Sequence, residues 1–478
     1  MITDDLCKLI AHHIGHTPTE EQRILMERWK GFLFSRSNDK AFILKGYAGT
    51  GKTTMIAALV KTMRALHQHV ILLAPTGRAS KVFANYAQTP ALTIHKKIYR
   101  QRAMDDTEHF QLAPNMHQHT LFIVDEASMI ANEGLSGSMF GTGRLLDDLV
   151  QFVYSGQGCR LLLVGDTAQL PPVGEAESPA LNSEVMACYD LDVEAMELCQ
   201  VLRQEEDSGI LWNATRLRQR IAQRMVNDFP HLRATGFADV TAIKGGELIE
   251  ALEDSYTHYG EDETIVLTRS NKRANIYNDG IRSRIFCYEE ELSSGDRLMV
   301  AKNNYYWMGK DVKNTQQDTE ASQTNSFIAN GDMAVVRRLR NERSLYGFSF
   351  ADAVLRFPDY DDMELEATIL LDTLHSEAPA LTRQQQEALF HAVWEDYPDM
   401  RKAERIKRIK EDIYYNTLQV KHAYAVTCHK AQGGQWQCVF IDQGYVTEDM
   451  LSPDYFRWLY TAITRATERV YLVNFQTE

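Results

Sequence analysis

The sequence lacks any apolar run approaching the roughly 18–20 residues that a membrane-crossing helix needs. Its first residues, Met1-Ile2-Thr3-Asp4-Asp5, are acidic where a secretory leader would be basic and then apolar. Cysteine is sparse: seven in 478 residues, odd in number, scattered, and with no Cys-x-x-Cys pair. That pattern excludes a disulfide frame and a zinc ribbon, and indicates reduced thiols in a cytoplasmic protein. An excess of positive charge is missing too. Lysine plus arginine number 51 against 65 aspartate plus glutamate, a formal charge of −14, which taken alone argues against a nucleic-acid partner. No tandem repeat is visible. What remains is an ordinary globular composition, 44% apolar and 24% charged, on a length that suits about two to four domains.

The first third alternates apolar strands with helical stretches. Ala41–Lys45, Val70–Ala74, Leu121–Asp125 and Arg160–Val164 read as strands, and Thr53 to Leu66 carries apolar residues at helical spacing. Continuous apolar strands between helices predict a parallel sheet covered on both faces. The pattern returns at Thr264–Leu267, Tyr424–Val426, Val439–Asp442 and Val470–Val473, so two such α/β units are expected. Between them, residues 300–420 read as a small β-domain with a helical excursion from Thr382 to Tyr415. The Gly/Ser-rich stretch 133–143 and the polar stretch 311–325 read as mobile.

Gly46-Tyr47-Ala48-Gly49-Thr50-Gly51-Lys52-Thr53 fits G-x-x-x-x-G-K-[ST] between a strand and a helix N-terminus. Its backbone N–H groups would cradle phosphates, Lys52 would reach the β- and γ-phosphates, and Thr53 would ligate Mg²⁺. Gly46, Gly49, Thr50, Gly51 and Thr54 complete the ATP-binding set. Asp125-Glu126 ends an apolar strand, where one carboxylate can hold the same Mg²⁺ and the other can polarise the attacking water. Gln169, in Gly165-Asp166-Thr167-Ala168-Gln169-Leu170-Pro171-Pro172, follows a third strand. Lys52, Asp125 and Gln169 thus share one sheet edge, at strand C-termini where α/β sheets bind ligands.

These segments resemble, in order, the motifs of superfamily 1 helicases. Thr19-Glu20-Glu21-Gln22 resembles the Q-motif, Ala74–Ala79 motif Ia, Thr93-Ile94-His95 motif Ib, and Asp125–Ser128 motif II. Gly165–Gly174 resembles motif III, Leu198–Gln204 motif IV, His422–Gly434 motif V, and Tyr460–Ala466 motif VI. The resemblance is closest to the B branch, the RecD-like and Dda-like helicases. It implies two tandem RecA-like domains, an α/β architecture with a small β-hairpin pin inserted in the first and an SH3-like plus helical insertion in the second. The expected division is 1–200 with a pin-like insertion near 96–120, then 201–299 with 421–478, and 300–420 as the insertion. By resemblance, Gln22 reads adenine, Gln169 couples the γ-phosphate to strand contacts, and Arg203 and Arg465 reach the γ-phosphate from the second domain. Leu202 before Arg203 departs from the Tyr-Arg of the UvrD-like branch, where the aromatic stacks on adenine.

The expected activity is ATP-dependent 5′→3′ translocation on single-stranded DNA with unwinding. An RNA or RNA–DNA helicase and a DNA-stimulated remodeller are the alternatives. Pro75, Thr76, Arg78, Thr93, His95, Thr268, Asn271, Thr427 and His429 are the candidate strand contacts, and Phe110 is either the aromatic tip of the pin or a buried ring. The basic run Arg401–Lys410 is either a solvated helix face or a phosphate-contacting helix. A local groove suffices for DNA, because charges beyond about 8–10 Å are screened. A monomer working at single-strand/duplex junctions, with no membrane contact, is expected, alongside single-strand-binding, replication, repair or recombination proteins.

Overall fold

A computed structural model describes residues 2–101, 110–134, 140–201, 207–308 and 327–477. The polar stretch 311–325 and residues 135–139 of the Gly/Ser-rich stretch lie outside the described residues.

The apolar runs of the first third form a six-stranded parallel sheet, in the order Ala91–Thr93, His69–Ala74, Thr120–Val124, Arg160–Gly165, Lys40–Gly46, Asp192–Leu198. The central strand Thr120–Val124 is buried at every position, which is why it reads as a continuous apolar run rather than an alternating one. Strand alternation splits the layer into two faces. Phe42 and Leu44 pack with Met55, Ile56 and Leu59 of helix Lys52–Ala65. Ala41 and Ile43 pack on the opposite side with Leu146, Leu149 and Val153. The edge strand Asp192–Leu198 escaped the sequence pattern because only Leu198 is fully buried.

A second parallel sheet runs Ala425–Thr427, Thr264–Thr268, Trp436–Asp442, Ala466–Val473, Val240–Ile243. Between its strands in sequence stands a closed five-stranded barrel of Arg297–Val300, Met333–Leu345, Phe348–Phe357, Met363–Leu370 and Leu418–His422. The fold is therefore two P-loop-type α/β domains with an SH3-like barrel inserted in the second. Helices Arg383–Glu395 and Lys402–Glu411 leave the barrel before its last strand and bury Leu389, Val393 and Ile409 against Phe348 and Phe350. In the basic run, Arg405 is not a free phosphate ligand. It donates through Nε to the Trp394 carbonyl (2.8 Å) and lies 4.2 Å over the Trp394 ring.

A two-stranded antiparallel hairpin, Tyr99–Gln101 with Phe110–Leu112, projects from the first domain. Its turn, 102–109, lies outside the described residues. Phe110 is not an exposed tip: it is 5% exposed and packs against Tyr305 (4.5 Å between ring centroids) and Phe140 (5.1 Å). The physical reason is that an aromatic at the turn end of this ladder gains more from the rings packed around it than from water. Among the described residues, no helix is long and apolar enough to cross a membrane.

Candidate functional site

The loop from Gly46 to Lys52 is shaped by close contact. A Cβ on Gly46 would meet Lys52 Cγ and Thr50 Oγ1 at 2.9 Å, so the loop closes this tightly only around glycine. Lys52 Nζ donates to the carbonyls of Gly46 (2.6 Å) and Tyr47 (2.8 Å). Its ammonium therefore lies across the cradle that the loop forms. Thr50 is buried, with its hydroxyl on the Tyr47 carbonyl (2.8 Å), while Thr53 and Thr54 are exposed in the first helical turn.

Asp125 and Glu126 follow the central strand. Asp125 Oδ1 accepts from the Glu126 amide (2.8 Å), and Oδ2 accepts from the Tyr86 hydroxyl. Burial, with Glu126 adding repulsion, pushes the Asp125 carboxyl up to about 6, against the opposing pull of Lys52. A desolvated carboxylate pair of this kind is a donor set for a hard cation, which relieves the repulsion directly. Gln169 is 8% exposed, and its Oε1 has no partner among the described residues.

The second domain closes over this edge. Arg465, 2% exposed, places Nη1 at 3.5 Å from Glu126 Oε1 and hydrogen-bonds the carbonyls of Thr461 and Gly434. The fully buried Tyr460 accepts from the Ala48 amide of the glycine-rich loop (3.0 Å) and donates to Asp166 Oδ2 (2.6 Å). Asp166, 1% exposed, has its carboxyl raised by burial, which Lys52 and Tyr460 partly offset. Next to it, the Leu170 amide donates to Thr461 Oγ1 (2.9 Å) and the Leu170 carbonyl accepts from Gln432 (2.7 Å). Tyr460, Thr461, Gln432 and Asp166 carried no role in the sequence reading. The only signal was their place inside recognised segments, because a hydroxyl's cross-domain partner has no local signature.

Gln22 is buried as the reciprocal cap of Thr19, its Oε1 accepting the Thr19 amide (3.0 Å), and its Nε2 has no partner among the described residues. Neighbouring Glu21 accepts the amides of Cys199 (2.9 Å) and Gln200 (3.0 Å), which ties the segment leading to Arg203 beside Gln22. Arg203 itself lies outside the described residues.

The strand-contact candidates separate into groups. Thr76 and Thr93 cap helices through their hydroxyls, accepting from Ala79 and Lys96 at 3.2 Å each, and Pro75 is half-buried. Thr93 is 3% exposed, so its side chain is not offered to a ligand. Thr268 is fully buried, with its hydroxyl donated to the Ser270 carbonyl (3.1 Å). His95 lies between the rings of Tyr99 (5.7 Å) and Phe140 (4.9 Å), where burial lowers its pKa to about 4 and keeps it neutral. Asn271 donates to the Glu377 carbonyl (3.0 Å). Arg78 crosses to the second domain, donating to the Gln435 carbonyl (2.9 Å) over the Trp436 ring (4.2 Å). At the same junction a Cβ on Gly433 would approach Ala79 Cβ to 2.7 Å, so the two loops meet backbone to side chain. Thr427 is half-buried at the start of the short helix Cys428–Ala431, and the exposed His429 lines a cavity of about 270 Å³ at the seam with Pro172 and Trp458.

Residues 19–235 match the AAA domain family, and residues 422–473 match the UvrD-like helicase C-terminal domain. The uncharacterized protein R530 of Acanthamoeba polyphaga mimivirus is 22% identical over 91% of this chain and 96% of its own length. The ATP-dependent RecD2 DNA helicase of Deinococcus radiodurans is 30% identical over 41% of this chain, a region that spans 24% of that protein. A solved structure of Pif1 helicase from Bacteroides in complex with ADP-AlF3 and ssDNA covers 96% of this chain and 92% of its own, at 14% identity and a TM-score of 0.46.

Proposed function

The chain belongs to the B branch of the superfamily 1 helicases, and on that premise we propose that it hydrolyses ATP to move 5′→3′ along single-stranded DNA and to open the duplex ahead. One observation carries the reading most directly. Arg465 of the second domain stands 3.5 Å from Glu126 of the first, so charge for the phosphoryl transition state arrives only when the domains meet.

In this reading Lys52 leaves its own loop carbonyls for the β- and γ-phosphates, and Glu126 orients the attacking water. Arg465 then exchanges Glu126 for the developing charge on the phosphoryl oxygens, with Arg203 as its expected partner. The unpartnered Gln22 amide suits the adenine edge, because it is a buried donor in want of an acceptor. Mg²⁺ would be held by Thr53 and Asp125 and would neutralise phosphate charge when bound. The moving bodies are residues 1–200 on one side and 201–299 with 421–478 on the other, with 300–420 riding on the second. Thr76, Arg78, Asn271, Thr427 and His429 are the groups placed to follow a strand across the seam.

The deciding test compares 5′-tailed with 3′-tailed duplexes in a strand-displacement assay, with poly-dT and poly-U as ATPase activators. Displacement of the 5′-tailed substrate and stimulation by poly-dT are expected. Preference for the 3′ tail would overturn the direction, preference for poly-U the substrate, and ATPase without displacement the helicase.

A further inference from the structure

Behind the loop that carries Gln169 lies a cavity of about 560 Å³. All three nucleotide-site segments wall it: Tyr47 from the glycine-rich loop, Ser128 just past Asp125-Glu126, and Gln169. It sits on the face of the first sheet away from helix Lys52–Ala65. Lys45, which lines it, continues the Ala41 and Ile43 side of the strand, whereas Phe42 and Leu44 face that helix. The cavity thus adjoins the candidate site through Gln169 and lies on the opposite face of the sheet from the helix that follows the glycine-rich loop.

Its chemistry is that of an oxyanion site. The half-buried Lys45 and Arg218 stand inside it, and the Arg218 guanidinium lies 4.3 Å over the Tyr47 ring. Arg457 and the exposed Arg224 also line it. Glu177 and Glu184, both exposed, are the carboxylates that oppose them, since Asp166 is committed to Tyr460 and the Ala168 amide. Three lining groups are shielded from water and have no hydrogen-bond partner among the described residues: Ser128 Oγ, in a side chain 1% exposed, Arg457 Nε, and Gln169 Oε1. Buried polar atoms are rarely left so, and the set comprises a hydroxyl, a cationic donor and a lone acceptor.

We propose that this cavity is an exit chamber for inorganic phosphate. Hydrogen phosphate has the matching chemistry: its oxygens would accept from Ser128 and Arg457, and its own hydroxyl would donate to Gln169 Oε1, once domain opening uncovers these shielded atoms. After cleavage the phosphate passes behind the Gln169 loop while ADP stays on the glycine-rich loop. Arg218 and Arg457 sit on helices of the second domain, so the chamber opens as the domains part. The proposal rests on the ATPase reading above.

The test titrates inorganic phosphate, and separately sulfate, into the full chain saturated with ADP, read by calorimetry. Phosphate should bind more tightly than sulfate, which carries no proton to give Gln169. Arg457→Gln and Ser128→Ala should each weaken phosphate about tenfold, and the exposed Arg224→Gln, which cannot fail by misfolding, about threefold. Lys52→Ala should leave this binding in place. Absence of phosphate binding, equal affinity in Arg457→Gln, Arg224→Gln and the unaltered chain, or loss only in Lys52→Ala would overturn the chamber. A second arm follows single-turnover cleavage by acid quench and release by a fluorescent phosphate sensor. Arg457→Gln should slow release about fivefold with cleavage unchanged, and unchanged release would count against the proposal. If the unaltered chain fails to cleave ATP, the functional reading falls, and the titration still decides the chamber.

Discussion

Two seams hold this molecule together, and they are made differently. Where the α/β domains meet, single polar atoms tie down an apolar contact: Tyr460 lies between Ala48 and Asp166, Leu170 between Thr461 and Gln432, and Arg465 against Glu126, while Ala168 and Leu170 are buried in the second domain's core. Where the barrel meets the first domain, the contacts are rings and a capped helix. Phe110, Phe140, Tyr305 and Phe327 form one aromatic cluster, with centroids 4.5 to 5.9 Å apart. Lys96 lies 4.0 Å over Tyr360, whose hydroxyl donates to Asp332 (2.7 Å). Asp332 in turn faces the N-terminus of helix Gly77–Ala87, where a Cβ on Gly77 would come within 2.5 Å of its Oδ1. Hydrogen bonds exchange with water or ligand at little net cost, whereas buried rings must be exposed to part. Parting the domains exchanges the hydrogen bonds of the first seam and, because the barrel rides on the second domain, must also uncover rings of the second.

Four substitutions bear on that contrast, the largest effect first. Lys52→Ala removes the ammonium from the glycine-rich loop beside the polar seam. ATP turnover should fall at least about 1,000-fold with Tm nearly unchanged, and retained DNA-stimulated hydrolysis would remove the basis of the functional reading. Phe110→Ala should cost about 3–5 kcal/mol of stability in denaturant melts, since it opens a hole in the aromatic seam. Basal ATPase at low temperature should persist, and a change below about 1 kcal/mol would mean that the cluster does not brace the barrel. Tyr460→Phe keeps the ring and deletes both cross-seam hydrogen bonds. The DNA-stimulated kcat should drop about tenfold while the KM for ATP holds, so an unaltered stimulation ratio would deny Tyr460 a coupling role.

The smallest effect is in pH. His95, held near 4 by burial, resists a proton that the unfolded chain accepts at about 6.5, so its share of stability is lost as pH falls from about 6.5 to 4. Asp332 is pushed up to about 6 by burial and keeps a proton that the unfolded chain has released, so its share is gained over about 6 to 4. The two offset each other. In Asp332→Asn the histidine term loses this offset, and Tm should fall more steeply between pH 6 and 4 than in the unaltered chain. Parallel curves would show that Asp332 does not titrate at this seam.

Legibility in the sequence followed the range of the interaction. Continuous apolar strands, the Gly46–Thr53 loop and the carboxylates at Asp125-Glu126 were readable because each depends on a handful of neighbouring residues. Val240–Ile243 and Asp192–Leu198 were missed as strands, being short or half-exposed edges that carry no apolar run. Phe110 was ambiguous for a related reason, because its partners Phe140 and Tyr305 lie in other segments of the chain. Thr93 and Thr268 had the residue type of a strand contact, and only burial shows them to be a cap and a core hydroxyl.

The sequence by itself determined the local chemistry: a strand, a phosphate-sized turn and a helix N-terminus follow from glycine, lysine and threonine in eight consecutive residues. Tertiary structure alone decided which distant groups meet, setting Tyr460 on Ala48 across 412 positions and Thr461 on Leu170 across 291. Backbone turns are governed by torsions within a few residues. A hydroxyl's partner across a seam is chosen by the packing of two whole domains, and no short stretch of sequence encodes it.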